Sequence, residues 1–209
     1  MDRGGDQSSV RVAAICIVRH GETDWNVNGV LQGWHDVELN ERGRAQAYTM
    51  AREFSDGGFS LVYSSTLRRA METAEIVSAG LRLPPPLGHD GLKERCFGAV
   101  QGVPKTELGV SNPMLLERIL KRNPAAHFEA GETMDEFADR VLAAIREIGA
   151  RHEGRRILAI THGWVLDVVT RHIHGLPRSA ILNMKRKNGE AVWVEATASE
   201  ILPPRAGHD

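Results

Sequence analysis

The sequence predicts a single α/β domain, a mixed, mostly parallel sheet with helices on both faces. Three observations predict it. Two apolar runs, Ile15 to Val18 and Ile157 to Ile160, read as buried strands, and each stops at His-Gly: Arg19-His20-Gly21 and Thr161-His162-Gly163. Between and after them lie stretches whose apolar residues recur at helical spacing, and alternation of strands with helices builds a parallel sheet. No internal repeat, low-complexity tract or linker divides the 209 residues, which fit one domain.

Met1 to Arg11 is rich in Gly, Ser and Asp and lacks the apolar core of a signal peptide, so residues 1–11 read as a mobile tail before a domain at 12–198. After the first strand, Asp24 to Glu38 reads as loop, punctuated by Gly29 and Gly33. Asn40 caps a helix to about Phe54, with Ala45, Ala47, Met50, Ala51 and Phe54 near one face, and Asp56-Gly57-Gly58 ends it. Phe59 to Tyr63 is a short strand. A helix from Leu67 to Ala79 follows, packing through Leu67, Ala70, Ala74 and Val77. Pro84-Pro85-Pro86 breaks the chain, a short strand follows, and Leu92 to Gly102 is a loop carrying Glu94. Residues 104–124 read as helical, interrupted at Ser111-Asn112-Pro113. Gly131-Glu132-Thr133 precedes an amphipathic helix with Phe137, Val141, Ala144, Ile145 and Ile148 at helical spacing. After the second long strand, Val165 to His174 is a helix closed by Gly175 and Pro177. Ile181 to Met184 and Ala191 to Ala196 read as a closing hairpin around the turn Asn188-Gly189, and 199–209 as a frayed tail.

Charge and composition exclude several function classes. The formal net charge of -1 argues against a general electrostatic grip on nucleic acid or an anionic membrane surface. No apolar run reaches membrane-spanning length. Two cysteines, Cys16 and Cys96, do not make a disulfide framework, which points to a reducing, cytoplasmic setting. A homodimer is left open.

In open α/β sheets ligands sit outside the carboxyl ends of the strands, so two strands ending in histidine bring two imidazoles to one crevice. A neutral imidazole nitrogen is a competent nucleophile toward phosphorus. Arg19 offers a rigid fork of donors for phosphate oxygens, and Gly21 lets backbone pass close to a ligand. A transferring phosphoryl group must be surrounded by positive charge; Arg19, Arg69 and His162 supply it, with Asn26 as a neutral donor. Glu94 is the candidate general acid, its proton retained through burial or neighbouring anionic charge. No metal cluster is evident: His172 and His174 are not on one helix face. Thr23, Gln32, Gly33, Gly163 and Trp164 are candidate substrate contacts, and Trp25, Trp34 and Trp164 serve equally well as core anchors. The bland alternatives are a surface Arg69 paired with Glu72, a solvated Glu94 between Lys93 and Arg95, and a solvated helical face of Arg118, Lys121 and Arg122. For that face the rival reading is a lid that grips an acidic substrate.

Arg19-His20-Gly21-Glu22-Thr23 with Trp25-Asn26, Leu31-Gln32-Gly33-Trp34, Leu39-Asn40-Glu41-Arg42-Gly43, Ser64 to Ala70 with Thr73-Ala74, Leu92-Lys93-Glu94 with Phe97-Gly98, Gln101-Gly102, Gly131-Glu132-Thr133 and Thr161-His162-Gly163 occur in one order. In this the chain resembles the histidine phosphatase superfamily, the phosphoglycerate mutase-like family. The resemblance implies that His20 is the phosphorylated nucleophile, that Arg19, Arg69 and His162 complete the phosphate pocket with help from Asn26, and that Glu94 donates the proton. It implies a metal-independent phosphomonoester hydrolase acting on a small phosphorylated metabolite. Cofactor-dependent mutases of the family carry a longer segment after the acidic loop, with a Leu-Asn-Lys-type motif and an arginine pair that grips 2,3-bisphosphoglycerate. Residues 103–130 are short and lack it, with Lys105, Arg118, Lys121 and Arg122 as the available substitutes. The alternatives carried forward are a phosphoglycerate mutase, which alone would need bisphosphoglycerate, and a non-catalytic module that binds a phosphorylated ligand.

Overall fold

The computed structural model describes residues 11–205. The expected tail at 1–11 lies, except for Arg11, outside the described residues. In chain order the elements are β1 (Ala13–Arg19), α1 (Asp24–Val27), α2 (Glu41–Glu53), β2 (Leu61–Ser64), α3 (Arg68–Gly80), β3 (Leu87–Gly88), α4 (Lys105–Ser111), α5 (Pro113–Leu120), α6 (Met134–Arg151), β4 (Arg156–Thr161), α7 (Gly163–Ile173), β5 (Ala191–Ala196) and β6 (Ile201–Leu202). The strands form one sheet in the order β3-β2-β4-β1-β5-β6. The pairs β1–β4, β2–β4 and β2–β3 are parallel, and β5 is antiparallel to both β1 and β6.

Strand periodicity explains the layers. Alternate residues of a strand face opposite sides, so Ile15 and Ile17 point into one core while Cys16 and Val18 point into the other. The first core gathers Ile157 and Ala159 of β4 with Phe137, Val141, Ile145 and Ile148 of α6 and Val165, Val168 and Val169 of α7. The second gathers Leu158 and Ile160 with Ala47 and Met50 of α2 and Ala70, Ala74 and Val77 of α3. Each fully buried Ile or Leu contributes about 1.5–3 kcal/mol, so the apolar runs of β1 and β4 are the main source of stability at the sheet centre. Burial also pushes the Cys16 thiol up to about 12, which makes it an inert core group.

Helix starts follow their sequence signals. The Asn40 side chain accepts the Gly43 amide at the head of α2, and Thr133 with Glu136 forms a capping box on α6. Asn112 caps α5, with Pro113 in its first turn, which splits α4 from α5 at the expected interruption.

Three expectations are corrected. The loop at 24–38 contains the short helix α1, capped by Thr23. Ile181 to Met184 is not a strand. Asn183 sits at φ 48, outside the extended region, and β1 and β6 already occupy both edges of β5. The Asn188-Gly189 turn does form, with Gly189 at φ +78, but it feeds β5 onto the end of β1 instead of closing a hairpin. The segment after Ser199 carries β6, with Ile201 buried, while residues 206–209 of the expected tail lie outside the described residues.

Candidate active site

Arg19 and Thr161 are register partners on adjacent parallel strands, so His20 and His162 leave the sheet side by side. Their rings meet edge to face with centroids 5.1 Å apart. The loop after β1 is fixed by a backbone approach that only glycine permits. A Cβ on Gly21 would stand 2.5 Å from the Gly43 carbonyl oxygen, and one on Gly43 would stand 2.0 Å from the Glu22 oxygen. The loop is further tied by the Gly21 amide donating to Thr73 Oγ1 and by the Asn188 amide group donating to the His20 carbonyl.

His20 Nδ1 lies 2.6 Å from its neighbour's carbonyl, Gly21 O, which places the ring hydrogen there and leaves Nε2 unprotonated, an acceptor. Arg69 Nε donates to that Nε2 at 3.3 Å. The Arg69 guanidinium is itself held by the carbonyls of His35 (2.9 Å) and Gly33 (2.8 Å). Burial, then the Arg69 and Arg19 cations, hold His20 well below its ordinary pKa, so the ring is neutral at pH 7. His162 is likewise held low by burial first and by Arg69, and its Nε2 shares a 2.7 Å hydrogen bond with Ser65 Oγ. Arg19 and Arg69 are lowered by burial to about 10, which leaves both cationic at neutral pH. The side chain of Arg19 reaches the Arg186 carbonyl, while its Nε is buried without a partner.

Glu94 is buried, and desolvation raises its pKa against the opposing pull of Arg122, the Arg95 amide, Arg69 and Arg19. A carboxyl group poised this way keeps its proton toward higher pH than an exposed one. The solvated reading of Glu94 is thereby corrected, and so is the surface reading of Arg69, which is 1% exposed while Glu72 pairs with Arg44 instead.

These groups open into a cavity of about 220 Å³. Arg19, His20, Asn26, Gln32, Gly33, Arg69, Glu94, Gly163 and Trp164 all line it. Thr23 does not; its hydroxyl caps α1 by accepting the Asn26 amide. His162 stands fully buried behind His20. Trp164 is 2% exposed and forms a wall of the cavity, Trp34 donates its indole N–H to the Glu94 carbonyl, and Trp25 leans on His35.

The outer end of the cavity holds Lys105 and Arg122, two of the four cations offered as substitutes for a mutase's grip, and residues that sequence reasoning missed. Arg118 and Lys121 are exposed, as a solvated face would be, but Arg122 turns inward. It pairs with the buried Asp167 at 2.6 Å and stacks over Trp164 at 4.5 Å. Arg186, which no local pattern marked, pairs with the other Asp167 oxygen at 2.8 Å. Lys105 and Lys185 also line the cavity, and among the described residues neither makes an ion pair. Burial lowers the Lys105 pKa, with Lys185, Arg19 and Arg122 adding to the effect. Among the described residues no set of His, Cys, Asp and Glu side chains is clustered to hold a metal ion, and no helix is long and apolar enough to cross a membrane.

The arrangement combines a neutral imidazole with an unprotonated Nε2, two guanidiniums and a buried carboxyl group whose pKa burial raises, which together suit transfer of a phosphoryl group. Comparison with known proteins agrees. The chain is 39% identical over 163 residues to phosphoglycerate mutase-like protein 4 of Arabidopsis thaliana, covering 77% of this chain and 71% of that one. It is 35% identical over 160 residues to a metal-independent phosphoserine phosphatase of the same plant, covering 76% and 67%. The structure of YhfR from Bacillus stearothermophilus superposes with a TM-score of 0.82 at 30% identity, covering 90% of this chain and 94% of that one. The family profile "Histidine phosphatase superfamily (branch 1)" matches residues 15–202, and the chain is an enzyme belonging to that superfamily.

Proposed function

We propose that the protein is a metal-independent phosphomonoester hydrolase that works through a phosphohistidine on His20. The observation that carries this reading is the state of His20: neutral, its proton pinned on Nδ1, and its Nε2 beside the Arg69 guanidinium. Nε2 attacks phosphorus and the P–O ester bond breaks. The departing alkoxide takes the proton of Glu94. Arg19 and Arg69 stabilise the equatorial oxygens, for which the unpartnered Arg19 Nε is an available donor, and Asn26 lies within the same cavity. His162, buried edge to face against His20, keeps the nucleophile's surroundings polar and uncharged until negative charge arrives. In the second half-reaction the Glu94 carboxylate takes a proton from water, the water oxygen bonds to phosphorus, and the P–N bond breaks. Gln32, Gly33, Gly163 and Trp164 surround the leaving alcohol, and Thr23 acts at one remove by shaping α1.

The outer end favours a small phosphorylated metabolite whose alcohol carries its own anionic group. Lys105, Lys185 and Arg122 face it, while Glu94 is the lone acid among the cavity residues. Two free thiols among the described residues support a cytoplasmic setting. A phosphoglycerate mutase would use the same His20 and would require 2,3-bisphosphoglycerate to charge it. Assay of 3-phosphoglycerate with and without that compound separates the two. Phosphate release without isomerisation is expected, and efficient isomer interconversion would overturn the hydrolase. An acid-labile phosphoryl group trapped on the wild-type protein and absent from His20→Ala is also expected. Its absence from wild type would favour a binding module.

A further inference from the structure

Glu94 rides on an irregular turn that crosses the end of β4, with only the short 3-10 piece Asp90–Leu92 as regular structure. Such a turn leaves its carbonyls without ladder partners, and buried carbonyls need donors from elsewhere. The Lys93 amide serves the Asp90 carbonyl and the Trp34 indole that of Glu94, and one further side chain reaches four carbonyls of the turn. Arg140 on α6 donates Nη1 to the carbonyls of Gly91 (3.0 Å), Lys93 (3.1 Å) and Asp90 (3.4 Å), and Nη2 to that of Glu94 (3.2 Å). The remaining carbonyl, Leu92 O, accepts from Thr161 Oγ1 at 2.7 Å. The guanidinium is held in turn by Glu132, through Nε to Oε1 and Nη2 to Oε2, both 2.8 Å. The same Oε2 accepts the Cys96 amide at 2.8 Å. The Glu132–Arg140 pair therefore grips the chain on both sides of Glu94, and Trp34 and Phe137 flank its guanidinium.

We propose that Arg140 and Glu132 are positioning residues for proton donation by Glu94. The inference rests on the reading of Glu94 as the general acid. The pair touches no substrate. It fixes where the Glu94 main chain sits, and the Glu94 carboxyl is fixed relative to that main chain by the Arg95 amide at 3.0 Å. A proton donor works only within about 2.6–3.2 Å of the leaving oxygen, and a misplacement of about 1 Å costs on the order of 100-fold. The nucleophile and the phosphate cations hang on other elements, β1 and α3, so loosening this turn leaves them in place.

That separation supplies the test. kcat/KM reports the steps up to cleavage of the ester bond, and an aryl leaving group departs without a proton while an alkyl one does not. In Arg140→Met, kcat/KM for β-glycerophosphate should fall about 30-fold or more, and that for p-nitrophenyl phosphate by less than about 3-fold. Glu132→Gln, which keeps an acceptor for the Cys96 amide, should shift the same ratio in the same direction by less. Added to Glu94→Gln, Arg140→Met should not change the ratio further, because two residues acting through one proton do not add. Equal slowing of both esters in Arg140→Met and Glu132→Gln would reduce the pair to ordinary structural support and overturn the proposal. The outcome for Glu94→Gln keeps the two ideas apart. If that variant shows no leaving-group selectivity, the general acid itself is wrong. If it does and the Arg140 and Glu132 variants do not, only the positioning role fails.

Discussion

The two ends of the cavity are built on different principles. At the inner end His20, Arg69 and Glu94 are buried and each is fixed by a short-range partner: His20 by the Gly21 carbonyl, Arg69 by the carbonyls of Gly33 and His35, Glu94 by the Arg95 amide. At the outer end Lys105 and Lys185 make no ion pair among the described residues, and they come from the first turn of α4 and from the irregular stretch before β5. Fixed groups do chemistry because their orientation costs nothing at the moment of reaction; free ammonium groups select ligands by charge and tolerate several shapes. Arg122 lies between the two regimes, anchored by Asp167 yet facing the outer space.

The contrast can be broken experimentally, most sharply at its inner end. His20→Ala should lower turnover by about 10⁴-fold or more, as loss of a covalent nucleophile does, and full turnover in that variant would end the mechanism. Arg69→Ala should cost about 100–1000-fold in kcat for aryl and alkyl phosphates alike, since it removes a fixed charge that both transition states use. At the outer end, Lys105→Ala and Lys185→Ala should raise KM about tenfold for a phosphorylated carboxylic acid and leave kcat nearly unchanged. They should leave p-nitrophenyl phosphate untouched; a kcat loss for both substrates would show that the two ends are not separable.

The smallest effect is on stability, and its sign depends on the group. His20 and His162 are held below their ordinary value of 6.5 by burial and by Arg69. As pH falls below that value, the unfolded chain binds protons that the folded chain refuses, so stability declines by up to about 1.4 kcal/mol per pH unit for each ring. Glu94 runs the other way. Its pKa is raised from 4.5, so its stabilising contribution is complete at low pH and is lost as pH rises through the raised value. Urea unfolding between pH 5 and 8 should therefore show a shallower acid decline in His162→Asn than in wild type. Glu94→Gln should gain on wild type as pH rises.

The same division decides what could be read from the chain. His20, His162, Arg69 and Glu94 were legible because they sit at strand ends, at the head of a helix or within short motifs, where local sequence and local geometry coincide. Arg122 was not, because α5 ends at Leu120 and Arg122 then adopts φ 54, which swings it off the helical face it shares in sequence with Arg118 and Lys121. Lys185 and Arg186 were hidden in a stretch whose apolar residues mimic a strand. Ile181 stays 50% exposed there because the sheet has no edge left for it beside β5. Of the Glu132–Arg140 pair only Glu132 was quoted, as part of a motif; Arg140 went unmarked because its other partners are main-chain carbonyls about fifty residues earlier in the sequence, and carbonyls carry no sequence signature.

The central place of β1 in the sheet has a consequence for motion. Its hydrogen bonds run to β4 on one side and β5 on the other, so its amides can meet solvent only when the sheet itself comes apart. Helices α4 and α5 lie off the sheet and present Val110, Met114 and Leu120 to water. In amide hydrogen exchange, Ile15 to Val18 should be among the last sites to label, at the free energy of global opening, and α4–α5 among the first, through excursions that leave β1 protected. His20 is then carried by the slowest clock in the molecule, and Lys105, at the head of α4, by one of the fastest.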